Sequence, residues 1–181
     1  MPKNLLRHGS HNSKLFMGEN LLIFMNDEAE NMQNTVKEHS DKLAKLGMEL
    51  SKIKFSYKVE KKISKEYWQK RIQNFDEYNK KALEYYNQVF NLIRITDKEE
   101  SEKFLLQISR FRQLSSSLIE IMRNIEENPS IINSKDRQQS QWSREIKSNI
   151  TEESNKCLNH EKTMNSYFRD FYEKHLKEIL E

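Results

Sequence analysis

MGENLLIFMNDEAEN, residues 17–31, sets five apolar residues in succession, Leu21 to Met25, inside a chain of 181 residues of which 33% are charged. The run is far shorter than the ~18–20 apolar residues a membrane-crossing helix needs. A half-buried strand would alternate apolar and polar residues, and the NDEAEN that follows does not. In alternating steps of three and four, the chain presents Leu22, Met25, Ala29, Met32, Val36, His39, Leu43, Leu46, Leu50, Ile53 and Tyr57. Ten of those eleven are apolar. A repeat of 3.5 residues gathers them on one stripe of a helix, the pattern for burial against another helix. The opening run is therefore read as the entry of a long amphipathic helix.

After Tyr57 the stripe steps eleven residues to Trp68 and resumes through Ile72, Phe75, Asn79, Ala82, Tyr86, Val89 and Ile93. An eleven-residue step unwinds a supercoil locally without ending the helix. No Gly or Pro lies between Met48 and Asn128, and Gly47, off the stripe, costs about 1 kcal/mol against Ala. A helix over 19–94 is therefore expected, about 110 Å long at 1.5 Å per residue. Thr96 with Glu99 three residues on fits a capping box, which favours a turn near 95–98. An unbroken helix is the rival, since Ile93 to Phe104 is another eleven-residue step. A second helix, 98–128, carries Phe104, Ile108, Phe111, Ser115, Leu118, Met122 and Ile125, and Asn128-Pro129 ends it. A third, 134–181, runs through Trp142, Ile146, Ile150, Cys157 and Met164 to an aromatic cluster, Tyr167, Phe168, Phe171 and Tyr172, and then Leu176 and Ile179. Its middle, KSNITEESNKCLNHEK, is nearly all polar and reads as loosely packed.

The expected architecture is all-α: an elongated three-helix antiparallel bundle or coiled coil over 19–181, with one very long first helix and a weakly ordered segment 1–18. Three Gly and two Pro among 181 residues, well below the ~7% and ~5% of average proteins, leave few tight turns. Helix two is too short to cover the whole of helix one. The stripe of Leu22, Met25, Met32, Val36, Leu43, Leu46, Leu50 and Ile53 is thus expected to seek a partner, either a second copy or another helical protein.

Chemistry is sparse. A single Cys, Cys157, makes no internal disulfide and points to a reducing, cytoplasmic setting; residues 1–16 lack the continuous apolar core of a secretory signal. Cys157 with His160 and His175 falls short of a zinc ligand set. The glycines, Gly9, Gly18 and Gly47, are too scattered to cradle phosphate. Neither catalysis, a cofactor, a metal nor a small-molecule substrate is expected. His39 and Asn79 interrupt their stripes and read as register-setting polar positions. The strongest charge feature is Lys52–Arg71: Lys52, Lys54, Lys58, Lys61, Lys62, Lys65, Lys70 and Arg71 against Glu60 and Glu66, eight basic residues to two acidic, a local charge of +6 where the whole chain carries +3. The near-balance of the whole argues against nucleic acid. The cluster itself suits an anionic membrane surface, with Tyr57, Tyr67 and Trp68 at its interface.

The leading expectation is a non-enzymatic coiled-coil scaffold or adaptor acting through helix association. The alternative is a peripheral membrane protein. Three long helices, an exposed first-helix stripe and a basic patch midway resemble the layout of BAR-type membrane-curvature domains, and that resemblance implies dimerisation and binding of anionic lipid.

Overall fold

The computed structural model describes residues 12–133 and 140–181, excepting the side chains of 12–28, 133, 140–144 and 146–148. Those residues are helical almost throughout, and four long helices pack together: α1 (Asn12–Lys52), α2 (Lys65–Thr96), α3 (Lys98–Glu127) and α4 (Ser140–Phe171). A five-residue π-helical segment, Tyr172–Leu176, follows α4 and leads into a last turn, α5 (Lys177–Leu180). Polar contacts fix the directions. Lys81 meets Glu49 at 3.0 Å and Gln88 donates to the His39 carbonyl at 3.1 Å, so α2 runs antiparallel to α1. Gln69 reaches Glu126 from α2 to α3, and His160 on α4 lies 2.8 Å from the Gln107 carbonyl of α3. The path is up, down, up, down.

The expected helix over 19–94 is two helices. Between them the chain leaves helical geometry at Ile53 and regains it at Lys65. The reason is a period of two. Ile53, Phe55, Tyr57 and Val59 turn inward while Lys54, Ser56, Lys58 and Glu60 are exposed, the spacing of an extended chain laid on a core. This strap descends along the first half of α2, where α1 no longer reaches. The upper core thus gathers α1, the second half of α2, the first half of α3 and the chain's end around Val36, Ala82, Phe104 and Phe171. The lower core has the strap in place of α1, around Tyr57, Trp68, Phe75, Leu118 and Ile150.

Two side chains fasten the strap. Trp68, fully buried, donates from Nε1 to the Lys62 carbonyl at 2.8 Å. Arg71, nine-tenths buried, places its guanidinium 5.5 Å from the centre of the Phe55 ring and approaches the Tyr57 carbonyl at 3.5 Å. Ser64 caps α2 by accepting from the Tyr67 amide.

The turn between α2 and α3 falls where the capping signal lies, shifted by one residue. Asp97, not Thr96, is the cap, accepting from the Glu100 amide at 2.9 Å, while Thr96 bonds back to the Ile93 carbonyl at 3.0 Å. Every apolar stripe residue of α2 and α3 named from the sequence is buried. Asn128 ends α3, and Pro129–Asn133 forms a 3₁₀ segment that buries Ile131 and Ile132. The start of the third helix expected at 134 lies outside the described residues.

Most of the α1 stripe has a partner inside the chain. Val36 and Leu43 are buried and Leu46, Leu50 and Ile53 half-buried, against α2 and the C-terminal aromatics. The expectation that this part would be left open is corrected: once the strap breaks the long helix, α2 folds back along it. Met32 remains exposed at 39%. The side chains of Leu22 and Met25 lie outside the described residues.

Candidate functional site

The four-helix arrangement is closed on three sides and open between α4 and the α1–strap side. Along that side run two clefts of about 650 and 660 Å³, and Tyr78 lines both. Such volumes fall in the range of small-molecule sites, roughly 300–1,000 Å³. The first is the more informative. Its walls are Phe55, Tyr57 and Val59 of the strap, Tyr78 of α2, and Leu158 and Glu161 of α4.

Glu161 is the feature that most needs explaining. Continuing the three-and-four spacing of α4 from Ile150 gives Ser154, Cys157, Glu161 and Met164, all buried. A carboxyl group therefore occupies a core position, with 6% of its surface exposed. The Tyr78 hydroxyl donates to both carboxylate oxygens, at 2.9 and 3.0 Å. The Tyr57 hydroxyl is buried close to the same carboxyl, near enough to act on it as a weak, long-range donor but making no hydrogen bond of ordinary length. Among the described residues no cation pairs with Glu161. Burial pushes the carboxyl up to about 7, against the smaller opposing pull of Tyr78 and Tyr57. Burial, and the neighbouring carboxylate after it, likewise pushes the Tyr57 and Tyr78 hydroxyls well above the ordinary phenol range. Isolated carboxyls with displaced ionisation, set in a cleft, mark functional sites more often than chance. Nothing in the composition of KSNITEESNKCLNHEK singles out Glu161, but carrying the stripe through Ile150 at helical spacing does.

Cys157 is buried beside this cleft, its thiol pushed up to about 12 by burial and then by Glu153 and Glu161. That environment disfavours the thiolate a nucleophile or metal ligand needs. His160 turns to the Gln107 carbonyl, and His175 stacks on Phe171 with ring centres 4.7 Å apart. No group of His, Cys, Asp or Glu among the described residues is placed to hold a metal ion.

Of the basic cluster, the strap and the helix ends flanking it spread Lys52, Lys54, Lys58, Lys61, Lys62, Lys65 and Lys70 along the first half of α2, from mid-bundle beside Lys81 to the helix start, all exposed. Lys62 lies 3.7 Å from Glu60 and Lys70 donates to Gln73. Arg71 does not belong to that surface; it is the buried fastener of the strap. Tyr57 and Trp68, expected at a lipid interface, are buried as well. His39 lies with its Nδ1 2.7 Å from Gln88 Nε2, tying α1 to α2. Asn79 leaves its Oδ1 buried and unpartnered. No helix among the described residues is long and apolar enough to cross a membrane. Compared with models of protein families, with curated proteins and with solved structures, the chain matches none.

Proposed function

We propose that this protein is a non-enzymatic association module that pairs through the first half of α1 with a second copy of itself. One observation carries the reading: every described residue from Ala29 to Thr35 is exposed, whereas from Val36 onward the same stripe is buried or half-buried. Among the described residues, the first side-chain hydrogen bond that α1 makes to another element is the one Gln33 donates to the Ile179 carbonyl of α5. The helix nevertheless begins at Asn12, and the sequence repeats its apolar spacing there with Leu22 and Met25. Charge favours a like partner. Residues 1–16 carry Lys3, Arg7 and Lys14 and no acid; residues 17–36 carry Glu19, Asp27, Glu28 and Glu30 and no Lys or Arg. Two copies laid antiparallel bring the basic opening of each toward the acidic stretch of the other.

Sedimentation equilibrium of the full chain is expected to give a dimer at micromolar concentration, loosened by added salt. Leu22→Glu and Met32→Glu are each expected to raise the dissociation constant about tenfold to a hundredfold, with the core's thermal midpoint unchanged in the monomer. A wild-type chain that stays monomeric across that range overturns the reading.

A second reading rests on the exposed lysines of the strap, which suit an anionic lipid surface. At about 1 kcal/mol for each Lys, reversing Lys54, Lys58, Lys62 and Lys65 to Glu is expected to cut cosedimentation with anionic vesicles about a thousandfold. Equal binding of both proteins would remove this reading and leave the first untouched.

A further inference from the structure

We propose that the cleft between the strap and α4 is a binding site for a small primary ammonium compound, its nitrogen donating to Glu161 and its apolar part held among Phe55, Tyr57 and Tyr78. Three independent features lead there. The carboxylate is an acceptor with capacity to spare: Tyr78 supplies one proton to its two oxygens, and no Lys or Arg answers its charge among the described residues. Tyr57 lines the same cleft, and its hydroxyl, buried close to Glu161, makes no hydrogen bond of ordinary length. Such a group is rare in a native interior, because leaving it unpaired costs free energy that a ligand can recover. The walls are aromatic. Phe55, Tyr57 and Tyr78 are mutually packed, with ring centres 5.1 Å apart for Phe55–Tyr57 and Phe55–Tyr78 and 6.0 Å for Tyr57–Tyr78.

An anionic floor with aromatic sides selects a cation carrying apolar substance, since ring faces attract positive charge and the carboxylate accepts its N–H groups. A primary ammonium fits better than a quaternary one. It has protons for both Glu161 and the Tyr57 oxygen, which a quaternary nitrogen lacks. Lys58 lines the cleft with an exposed side chain, so a second positive charge on the ligand would meet repulsion at the mouth. The ligand class is therefore monocationic. A bound ammonium also stabilises the ionised carboxylate, which burial otherwise disfavours.

The test is titration of the isotope-labelled full chain with n-butylammonium chloride at pH 8, followed by amide chemical shifts. Sodium butyrate, tetramethylammonium chloride and sodium chloride at matched ionic strength serve as comparisons. Saturable shifts at Val59, Asn155 and Leu158 are expected with n-butylammonium, and weaker or absent ones with the others. Glu161→Gln, which keeps the shape and removes the charge, is expected to weaken binding at least about tenfold, and Tyr57→Phe about threefold to tenfold. No saturable shift up to the solubility limit overturns the proposal. So does butyrate or tetramethylammonium binding as tightly as n-butylammonium, or undiminished binding by Glu161→Gln.

Discussion

At pH 8 the Glu161→Gln protein is expected to be more stable than the wild type by about 3 kcal/mol, and near pH 4.5 the two are expected to be equal. The figure comes from the carboxyl's displacement from 4.5 to about 7 on burial, at about 1.4 kcal/mol for each tenfold change in proton affinity. The direction follows from where the proton sits. Between those two values the folded chain holds a proton on Glu161 that the unfolded chain has released, so folding is favoured as pH falls through that window. Above about 7 the folded state carries an ionised carboxylate in a core position, and the full cost is present. Glutamine has no charge to bury, and its amide can donate to the unpartnered Tyr57 hydroxyl while its oxygen accepts from Tyr78. The groups acting on or facing Glu161 are Tyr78 and Tyr86 on α2, Tyr57 on the strap, Cys157 on its own helix and Lys58 among the cleft-lining residues, and burial raises Tyr86 as it does the other two tyrosines. Tyr57, Tyr78 and Cys157 are all displaced upward and so stay neutral across that window. Urea unfolding of both proteins from pH 4.5 to 8 reads the difference directly. A gap that does not change with pH would show that Glu161 does not titrate between those limits.

Trp68→Ala is expected to cost about 3–5 kcal/mol, the usual range for emptying a large aromatic site. The ring is fully buried at the head of the lower core, edge-on to Tyr67 with centres 5.3 Å apart. Against a typical total of 5–15 kcal/mol, that removes a large part of the stability. Trp68→Phe separates packing from tethering. It keeps most of the apolar volume and loses the bond to the Lys62 carbonyl, for about 1 kcal/mol. Hydrogen exchange is then expected to quicken at strap amides before it quickens in α3. A Trp68→Ala protein within about 1 kcal/mol of wild type in denaturant would mean that the lower core does not depend on this ring.

Helical periodicity made most of the architecture legible. Phe104, Ile108, Phe111, Leu118, Met122 and Ile125 all lie where a spacing of three and four puts them, and so do Trp68 to Ile93 on α2. The break at Ile53 was hidden by the same device. A stripe carried forward at 3.5 residues accepts Ile53 and Tyr57 as members, and an eleven-residue step excuses the gap that follows. Only the alternation of Ile53, Phe55, Tyr57 and Val59 with polar residues speaks for an extended chain, over a stretch too short to outweigh five heptads upstream. Glu161 was hidden for the opposite reason: a charged residue is presumed solvated, and burial of one depends on which helices surround it. The exposed lysines needed no such context, whereas Arg71, adjacent in sequence, was drawn inward by Phe55 and the Tyr57 carbonyl.

The π-helical segment after Phe171 has a consequence for how the chain's end stays in phase. From Phe171 the next buried side chain is Leu176, five positions on, where an α-helix would bring position 174 or 175 inward, Lys174 or His175. One wide turn absorbs the surplus residue and rotates everything after it, so that Ile179 and Leu180 still reach the upper core. The C-terminal turn therefore behaves as a vernier: losing one residue between Tyr172 and His175 would return that coil to α pitch and leave the hydrophobic contacts beyond it in step.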